Sequence, residues 1–299
     1  TPPVISTPPG SLDVTIELTD PALCPTGLLV STCYFSSHPD FPISVDVVID
    51  GVFLGNFQGP DPADISDNCE LGLISCGFSN LIQGDCIATF DVNWIATDDC
   101  GNNVSEPFVQ SFTILDKVAP VFDLGCQIDA IFTTEDGNVC PADATISLNE
   151  GDEIDVFTGW TVGGIPILPL QGCVEDNCVD EADLIITVDD ITIVDDGTCS
   201  RVITVTFIAD DGCGNISDPF VCNYTFIDDT GPLVSFNGIP DGGTYVVECD
   251  LPSTTWDPLI DIGELTISDN CSDINFAGIT EVLTQLYDGP CVGNVLTRW

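Results

Sequence analysis

Three segments of this 299-residue chain align on their cysteines, and this repeat limits the possible fold more than any other feature. Asp67-Asn68-Cys69, Cys86 and the run from Trp94 to Asn102, which contains Cys100, form the first set. Asp176-Asn177-Cys178, Cys199 and the run from Phe207 to Asn215, which contains Cys213, form the second. Asp269-Asn270-Cys271 and Cys291 open a third. Eight residues separate Cys86 from Trp94, Cys199 from Phe207 and Cys291 from Trp299. Constant spacing between divergent residues is the mark of tandem duplication. The starts align too: Thr1-Pro2-Pro3-Val4, Val118-Ala119-Pro120-Val121 and Thr230-Gly231-Pro232-Leu233, each followed by a further cysteine at Cys24, Cys140 or Cys249. The expected units are 1–117, 118–229 and an incomplete 230–299. Two expectations follow for the third: the full protein continues, or a neighbouring subunit supplies the remaining strands.

Each unit reads as β throughout. Phe90, Val92, Trp94 and Ala96 alternate with smaller or polar residues, and Ile203, Val205, Phe207 and Ala209 repeat that alternation. A period of two is that of a half-buried strand. Further strands are expected at 12–18, 44–49, 184–188, 191–194 and 220–227, where Val, Ile, Thr and Phe dominate. Asp50-Gly51, Asp136-Gly137, Asp196-Gly197 and Asp241-Gly242 mark turns. About seven short strands in about 110 residues is the arithmetic of an immunoglobulin-like sandwich. The predicted fold class is therefore all-β: disulfide-rich Ig-like sandwiches placed end to end.

Composition selects the environment. Three basic residues against 49 acidic ones give a net charge of −46. Nucleic acid and membrane insertion are excluded as partners, because an anionic partner needs a positive face and no apolar run is long enough to span. A hydrophobic content of 44% still supports cores. Sixteen cysteines with one histidine and no Cys-x-x-Cys pair read as disulfides rather than zinc sites, which places the chain outside the cell.

The repeat also suggests pairings. Cys126 and Cys222 are both extra in the second unit, where the first has Pro9 and Gln110, so they are expected to bond. The other expected pairs are Cys69–Cys86, Cys178–Cys199, Cys271–Cys291, Cys24–Cys100, Cys140–Cys213 and Cys33–Cys76. Cys249 is left for a partner beyond Trp299. Cys173 is left free, paired across a unit boundary, or linking subunits.

The string Ala96-Thr97-Asp98-Asp99-Cys100-Gly101-Asn102, then Phe112-Thr113-Ile114-Leu115-Asp116 and Ala119-Pro120, resembles the end of one hyalin-repeat (HYR) domain and the start of the next. Ala209 to Asn215, Tyr224 to Asp228 and Gly231-Pro232 carry the same signature. Similar cysteine-rich variants occur in long secreted surface proteins of Bacteroidota, of the gliding and adhesion type. The resemblance implies an extracellular, Ig-like, adhesive or structural role, with no catalytic residues.

Acidic clusters recur at matched positions: Asp98, Asp99, Asn102 and Asp116 in the first unit, and Asp210, Asp211, Asn215, Asp228 and Asp229 in the second. Carboxylates with an amide carbonyl are the hard oxygen ligands that Ca²⁺ takes, so these sets are the calcium candidates. Asp67, Asp176 and Asp269 are weaker ones. Against them stands the use of Asp and Asn as turn residues. Enzyme chemistry is not expected: His38, the only histidine, sits in a loop-like string, and no phosphate loop or dinucleotide fingerprint is present. Trp94 and Trp299 fall on core strands, whereas Trp160 and Trp256 are candidates for a glycan platform. The expected function is a structural segment of a cell-surface fibre, filament or stalk, whose partners are neighbouring units or subunits. The alternatives are an adhesin binding a glycan or protein, and an accessory region of a larger secreted enzyme.

Overall fold

The computed structural model describes residues 2–34, 43–67, 71–99, 104–126, 128–136, 139–195, 199–236, 239–240, 265–271, 281–285 and 294–298. The chain is all-β, and among these residues the helical turns are the short 3₁₀ segments Pro62–Asp64, Pro141–Asp143 and Glu181–Asp183.

In the first unit, β1 (Val4–Ile5) pairs with β6 (Ile65–Ser66). The strands β2 (Val14–Leu18), β7 (Leu71–Gln83), β8 (Ile87–Asp98) and β9 (Phe108–Asp116) form one sheet in the order β2-β9-β8-β7. The strands β3 (Leu29–Tyr34), β4 (Ser44–Ile49) and β5 (Val52–Gln58) form the other. Inward residues of both sheets, among them Val45, Val47, Ile49, Phe90, Val92, Trp94, Phe112 and Ile114, make one core. The alternation in β8 is complete, with every second residue from Ala88 to Asp98 buried. Asp50-Gly51 makes the tight β4–β5 turn: Ile49 faces Val52, and both turn residues have positive φ, 48° and 83°. That geometry is the two-residue hairpin that Asp-Gly favours.

The second unit repeats the plan. Here β10 (Val121–Phe122) pairs with β15 (Val174–Glu175). The main sheet is β11 (Ala130–Thr133), β18 (Phe220–Ile227), β17 (Ser200–Asp210), β16 (Ile185–Asp195) and β12 (Glu153–Ile154). The two strands expected at 184–188 and 191–194 are the single strand β16, which bends at a bulge between Val188 and Asp190. A bulge adds one residue and breaks the alternation that sequence reading follows. Opposite the sheet lies the small hairpin of β13 (Thr161–Val162) and β14 (Ile165–Pro166), and Val156, Trp160 and Leu170 join it in a separate core with Phe207, Tyr224 and Phe226. Trp160 is 5% exposed and packs on Phe207 with ring centroids 5.2 Å apart. It is a core residue and offers no glycan platform; Trp256 and Trp299 lie outside the described residues.

In the third unit, β19 (Leu233–Phe236) pairs with β20 (Ile239–Pro240) and β21 (Leu265–Ser268), and β22 (Glu281–Gln285) pairs with β23 (Asn294–Arg298). Its opening pair, Leu233 with Ser268, matches Val4 with Ser66 and Val121 with Glu175. In all three units the Asp-Asn-Cys string follows the partner of the opening strand. Because that pair is antiparallel, Asp67, Asp176 and Asp269 lie where their units begin, and in the second and third units this is beside the end of the unit before.

The disulfides differ from the expected scheme in a systematic way. Cys24 bonds Cys178 and not Cys100; Cys86 bonds Cys213 and not Cys69; Cys140 bonds Cys271 and not Cys213. Cys178–Cys199 and Cys271–Cys291 are thereby excluded too. Each of these bonds joins one unit to the next. Within units, Cys33 bonds Cys76, the two extra cysteines of the first unit, and Cys126 bonds Cys173 rather than Cys222. The β10–β15 pair explains the last: Phe122 faces Val174, so the residues just beyond them approach, and their Cα atoms are 5.5 Å apart. Cys222 instead points into the sandwich core, a free thiol with 0% exposure. Cys69, Cys100, Cys249 and Cys291 lie outside the described residues.

Candidate metal centre at the joint between the first two units

Strand direction decides which groups meet. In the first unit β8 and β9 are antiparallel, with Ile87 facing Leu115 and Trp94 facing Phe108. Asp98, at the end of β8, and Asp116, at the end of β9, therefore occupy opposite poles. The sequence grouping of Asp98, Asp99 and Asn102 with Asp116 fails for this reason; Asn102 lies outside the described residues. The same holds for Asp210 and Asp211 against Asp228 and Asp229, because β17 and β18 are also antiparallel.

What meets at the joint is the far pole of one unit and the near pole of the next. The far pole of the first unit presents Asp116, whose N–H donates to Cys86 O at 3.0 Å. It also presents Cys24, a few residues beyond β2, which runs parallel to β9 with Leu18 beside Asp116. The near pole of the second unit presents the Asp176-Asn177-Cys178 loop and the loop from Asp211 to Asn215. Two disulfides close this joint, Cys24–Cys178 with Cα atoms 5.3 Å apart and Cys86–Cys213 at 5.0 Å. Asn177 Nδ2 crosses it to donate to Leu23 O at 2.7 Å, and Asn215 Nδ2 crosses it to Asp116 O at 3.4 Å.

Between the two bridges lies a group of carboxylates. An oxygen of Asp116 lies within 4.8 Å of one from Asp211, and likewise of one from Asp176. The sulfurs nearby, Cys178 and Cys213, are in disulfides and offer no thiolate. Asp116 and Asp176 are each anchored at one oxygen, and Asp211 at both. Asp116 Oδ1 accepts from Val118 N at 3.1 Å. Asp176 Oδ1 accepts from the N–H groups of Cys178 and Val179 at 2.8 and 2.9 Å. Asp211 Oδ1 accepts from the N–H groups of Cys213 and Asn215 at 2.7 and 3.1 Å, and its Oδ2 from Asn215 Nδ2 at 2.6 Å. Asp116 Oδ2, Asp176 Oδ2 and Asn177 Oδ1 are buried and accept no hydrogen bond.

The electrostatics follow from that geometry. Asp116 is 1% exposed, and burial pushes its carboxyl above the usual carboxylate range. The Val118 N–H and the Asn177 amide oppose the shift, while the carboxylates of Asp176 and Asp211 add to it. Like charges brought together out of water disfavour ionisation.

The remaining sequence candidates sit elsewhere. Asp98 is buried and Asp99 exposed at the outer pole of the first unit. Asp210 Oδ1 accepts from Gly212 N at 2.7 Å in its own turn. Asp228 and Asp229, at the far pole of the second unit, accept from Thr134 Oγ1 at 2.9 and 3.1 Å. The hydrogen bond from the Glu135 N–H holds the Asp229 carboxyl below the usual carboxylate range. Asp176 is one of the weaker sequence candidates, and Asn177 is not among them. The signal that finds them is the recurrence of Asp-Asn-Cys in all three units.

A cleft among the described residues lies away from the joint. Leu29, Ser31, Phe78, Ser79, Asn80, Leu81 and Phe90 line an open hollow of about 380 Å³ in the first unit.

No protein-family model matches the chain, and no curated protein matches it. Among solved structures the chain is similar to human CDH23 EC21-23, with 12% identity and a TM-score of 0.25 over 99% of this chain and 91% of that one. It is also similar to Drosophila N-cadherin EC1-4, with 11% identity and a TM-score of 0.23 over 77% of this chain and 76% of that one.

Proposed function

We propose that this chain is a structural, non-enzymatic segment of an extracellular fibre, filament or stalk, built from hyalin-repeat-like Ig units fastened end to end. The observation that carries the reading is the covalent joint: Cys24–Cys178 and Cys86–Cys213 both cross from the first unit to the second. A single bridge leaves a pivot, whereas two bridges on one interface remove it. A bonded joint suits a protein that transmits tension along its axis. Cys140–Cys271 continues the pattern into the third unit. Calcium belongs to this reading, as the ion that would offset the repulsion of carboxylates gathered where acidic units meet. The partners are further units of the same kind.

Electron microscopy of the unreduced protein tests this. Stiff rods with an axial period on the order of 40 Å, the length of a twelve-residue strand, are the expected result. Compact particles, or beads that pivot freely, would refute it. A second reading, an adhesin, is favoured by the cleft that Phe78 and Leu81 line. Specific hits for the full chain on a glycan array, lost in Phe78→Ala, would favour that reading.

A further inference from the structure

We propose that Asp116, Asp176, Asn177 and Asp211 form one binding site for a hard divalent cation of the calcium class, completed only when the two units dock. The proposal deepens the calcium part of the function above and rests on it.

Three observations converge. The first is the unpaired oxygens. Asp116 Oδ2, Asp176 Oδ2 and Asn177 Oδ1 are buried without a hydrogen-bond donor, and the Asp116 side chain is almost wholly removed from solvent. A buried acceptor left without a partner costs about 1–3 kcal/mol, more when charged. Asp116 and Asp176 bring carboxylate oxygens within 4.8 Å of each other, and Asn177 is the next residue after Asp176, so one shared partner could serve all three.

The second is how the side chains are held. Asp116 and Asp176 each use one oxygen to accept backbone N–H groups, and the other oxygen accepts no hydrogen bond of full geometry. Asn177 donates its Nδ2 to Leu23 O across the joint, which leaves Oδ1 as its open atom. The same Nδ2 also donates to Cys178 Sγ at 3.0 Å, so both amide hydrogens are used and Oδ1 can only accept. Such anchoring fixes the open oxygens in space before any ion arrives, which lowers the ordering cost of binding.

The third is charge. Three carboxylates meet with no side-chain cation among them. The ion pair among the described residues, Arg201 with Asp195, lies along the β16–β17 ladder. Lys117, next to Asp116 in sequence, is exposed. Oxygen donors alone, without an available thiolate or imidazole, suit Ca²⁺ rather than zinc or copper. Mg²⁺ demands a tighter octahedron and gives up its water reluctantly, so Ca²⁺ is the better match.

Because Asp116 comes from the first unit and the other three residues from the second, the ion bridges them. Each ligand loop also carries a joint cysteine: Cys178 follows Asp176 by two residues, and Cys213 follows Asp211 by two. On the other side, Cys86 accepts the N–H of Asp116. The disulfides thus hold both halves of the site in register.

The test is calcium titration of the full, unreduced chain after chelator treatment, by calorimetry and equilibrium dialysis. Asp116→Asn, Asp176→Asn and Asn177→Leu are compared with Asp189→Asn on the exposed edge of the β16 bulge. Peptide maps without reductant confirm that Cys24–Cys178 and Cys86–Cys213 have formed in every variant. The expected result is saturable Ca²⁺ binding that each joint variant weakens on the order of 10-fold or more, with Asp189→Asn unchanged and Mg²⁺ a poor competitor. If the chain binds Ca²⁺ but the joint variants keep full stoichiometry and affinity, the ion sits elsewhere; this assignment falls while the calcium reading stands. If the unmodified chain takes up no Ca²⁺, both fall.

Discussion

The first two units place the same strands around different interiors. In the first, Gln110 lies inward on β9 with 1% exposure. Its Oε1 accepts from Trp94 Nε1 at 3.0 Å, and its Nε2 donates to Leu12 O and Gln58 O at 2.8 and 3.1 Å. One buried amide thus ties β9, β8, β5 and the segment before β2 together. In the second unit the matching residue is Cys222, and Phe207 stands where Trp94 stands. The polar cross-tie is gone. Trp160 Nε1 and the Tyr224 hydroxyl are buried without a hydrogen bond of full geometry, and burial drives the Tyr224 hydroxyl well above its ordinary range. The facing wall differs too: the three-stranded β3-β4-β5 sheet of the first unit is replaced by loops around β13–β14. A sandwich of this kind tolerates exchange of its inner polar network provided that the strand ladder and the poles are kept.

That contrast predicts unequal sensitivity. Gln110→Ala should cost about 3–5 kcal/mol, since it strands an indole N–H and two carbonyls and leaves a cavity. Cys222→Ala should cost about 1 kcal/mol, because it removes only a sulfur from an apolar setting. Denaturant melts of both variants measure the difference, and equal losses would mean that the amide is not a cross-tie. Next in size are two close backbone approaches. A Cβ at Gly163 would lie 2.5 Å from Phe226 Cε1, on a residue with φ of +58°. A Cβ at Gly59 would lie 2.7 Å from Trp94 Cζ2 without the positive φ. Overpacking costs about 1–3 kcal/mol, and backbone strain adds to it, so Gly163→Ala should lower the melting temperature more than Gly59→Ala.

Two carboxylates at the poles should titrate in opposite senses. The Asp116 carboxyl is raised in the folded chain, so its contribution to stability is present at low pH and lost as pH rises through the raised value. The Asp229 carboxyl is lowered, so its contribution is present above the unfolded value and lost as pH falls through the lowered one. In chelator, Asp116→Asn should therefore raise the melting temperature at neutral pH, and Asp229→Asn should lower it. Excess Ca²⁺ should reverse the sign for Asp116→Asn alone. The smallest effect is kinetic. Burial pushes the Cys222 thiol up to about 12, with Asp129 adding to the shift and Tyr224 opposing it. Iodoacetamide at pH 8 should leave Cys222 unmodified in the native protein and label it promptly in denaturant. Labelling of the native protein would show that the second core opens readily.

The β architecture was legible because the alternation of Phe90, Val92, Trp94 and Ala96 is complete. The merging of two expected strands into β16 was not, because the bulge after Val188 interrupts the period without ending the strand. Asp116 and Asp211 were legible as candidates from their recurrence, whereas their meeting across a joint was not. Asp176 and Asn177 were masked by the ordinary use of Asp and Asn in turns, and one oxygen of Asp176 does serve that purpose.

By itself the sequence determined the repeat, the strands and the abundance of cysteines, since each follows from local spacing and side-chain type. Tertiary structure alone decided which cysteines bond and which carboxylates share a pole. The physical reason is the same for both. Antiparallel neighbours end at opposite poles of a sandwich, so residues close in sequence part, and the groups that meet are those of successive units. In a tandem repeat a cysteine has equivalent candidates in its own unit and in the next, and spacing along the chain cannot separate them; the direction of the strands can.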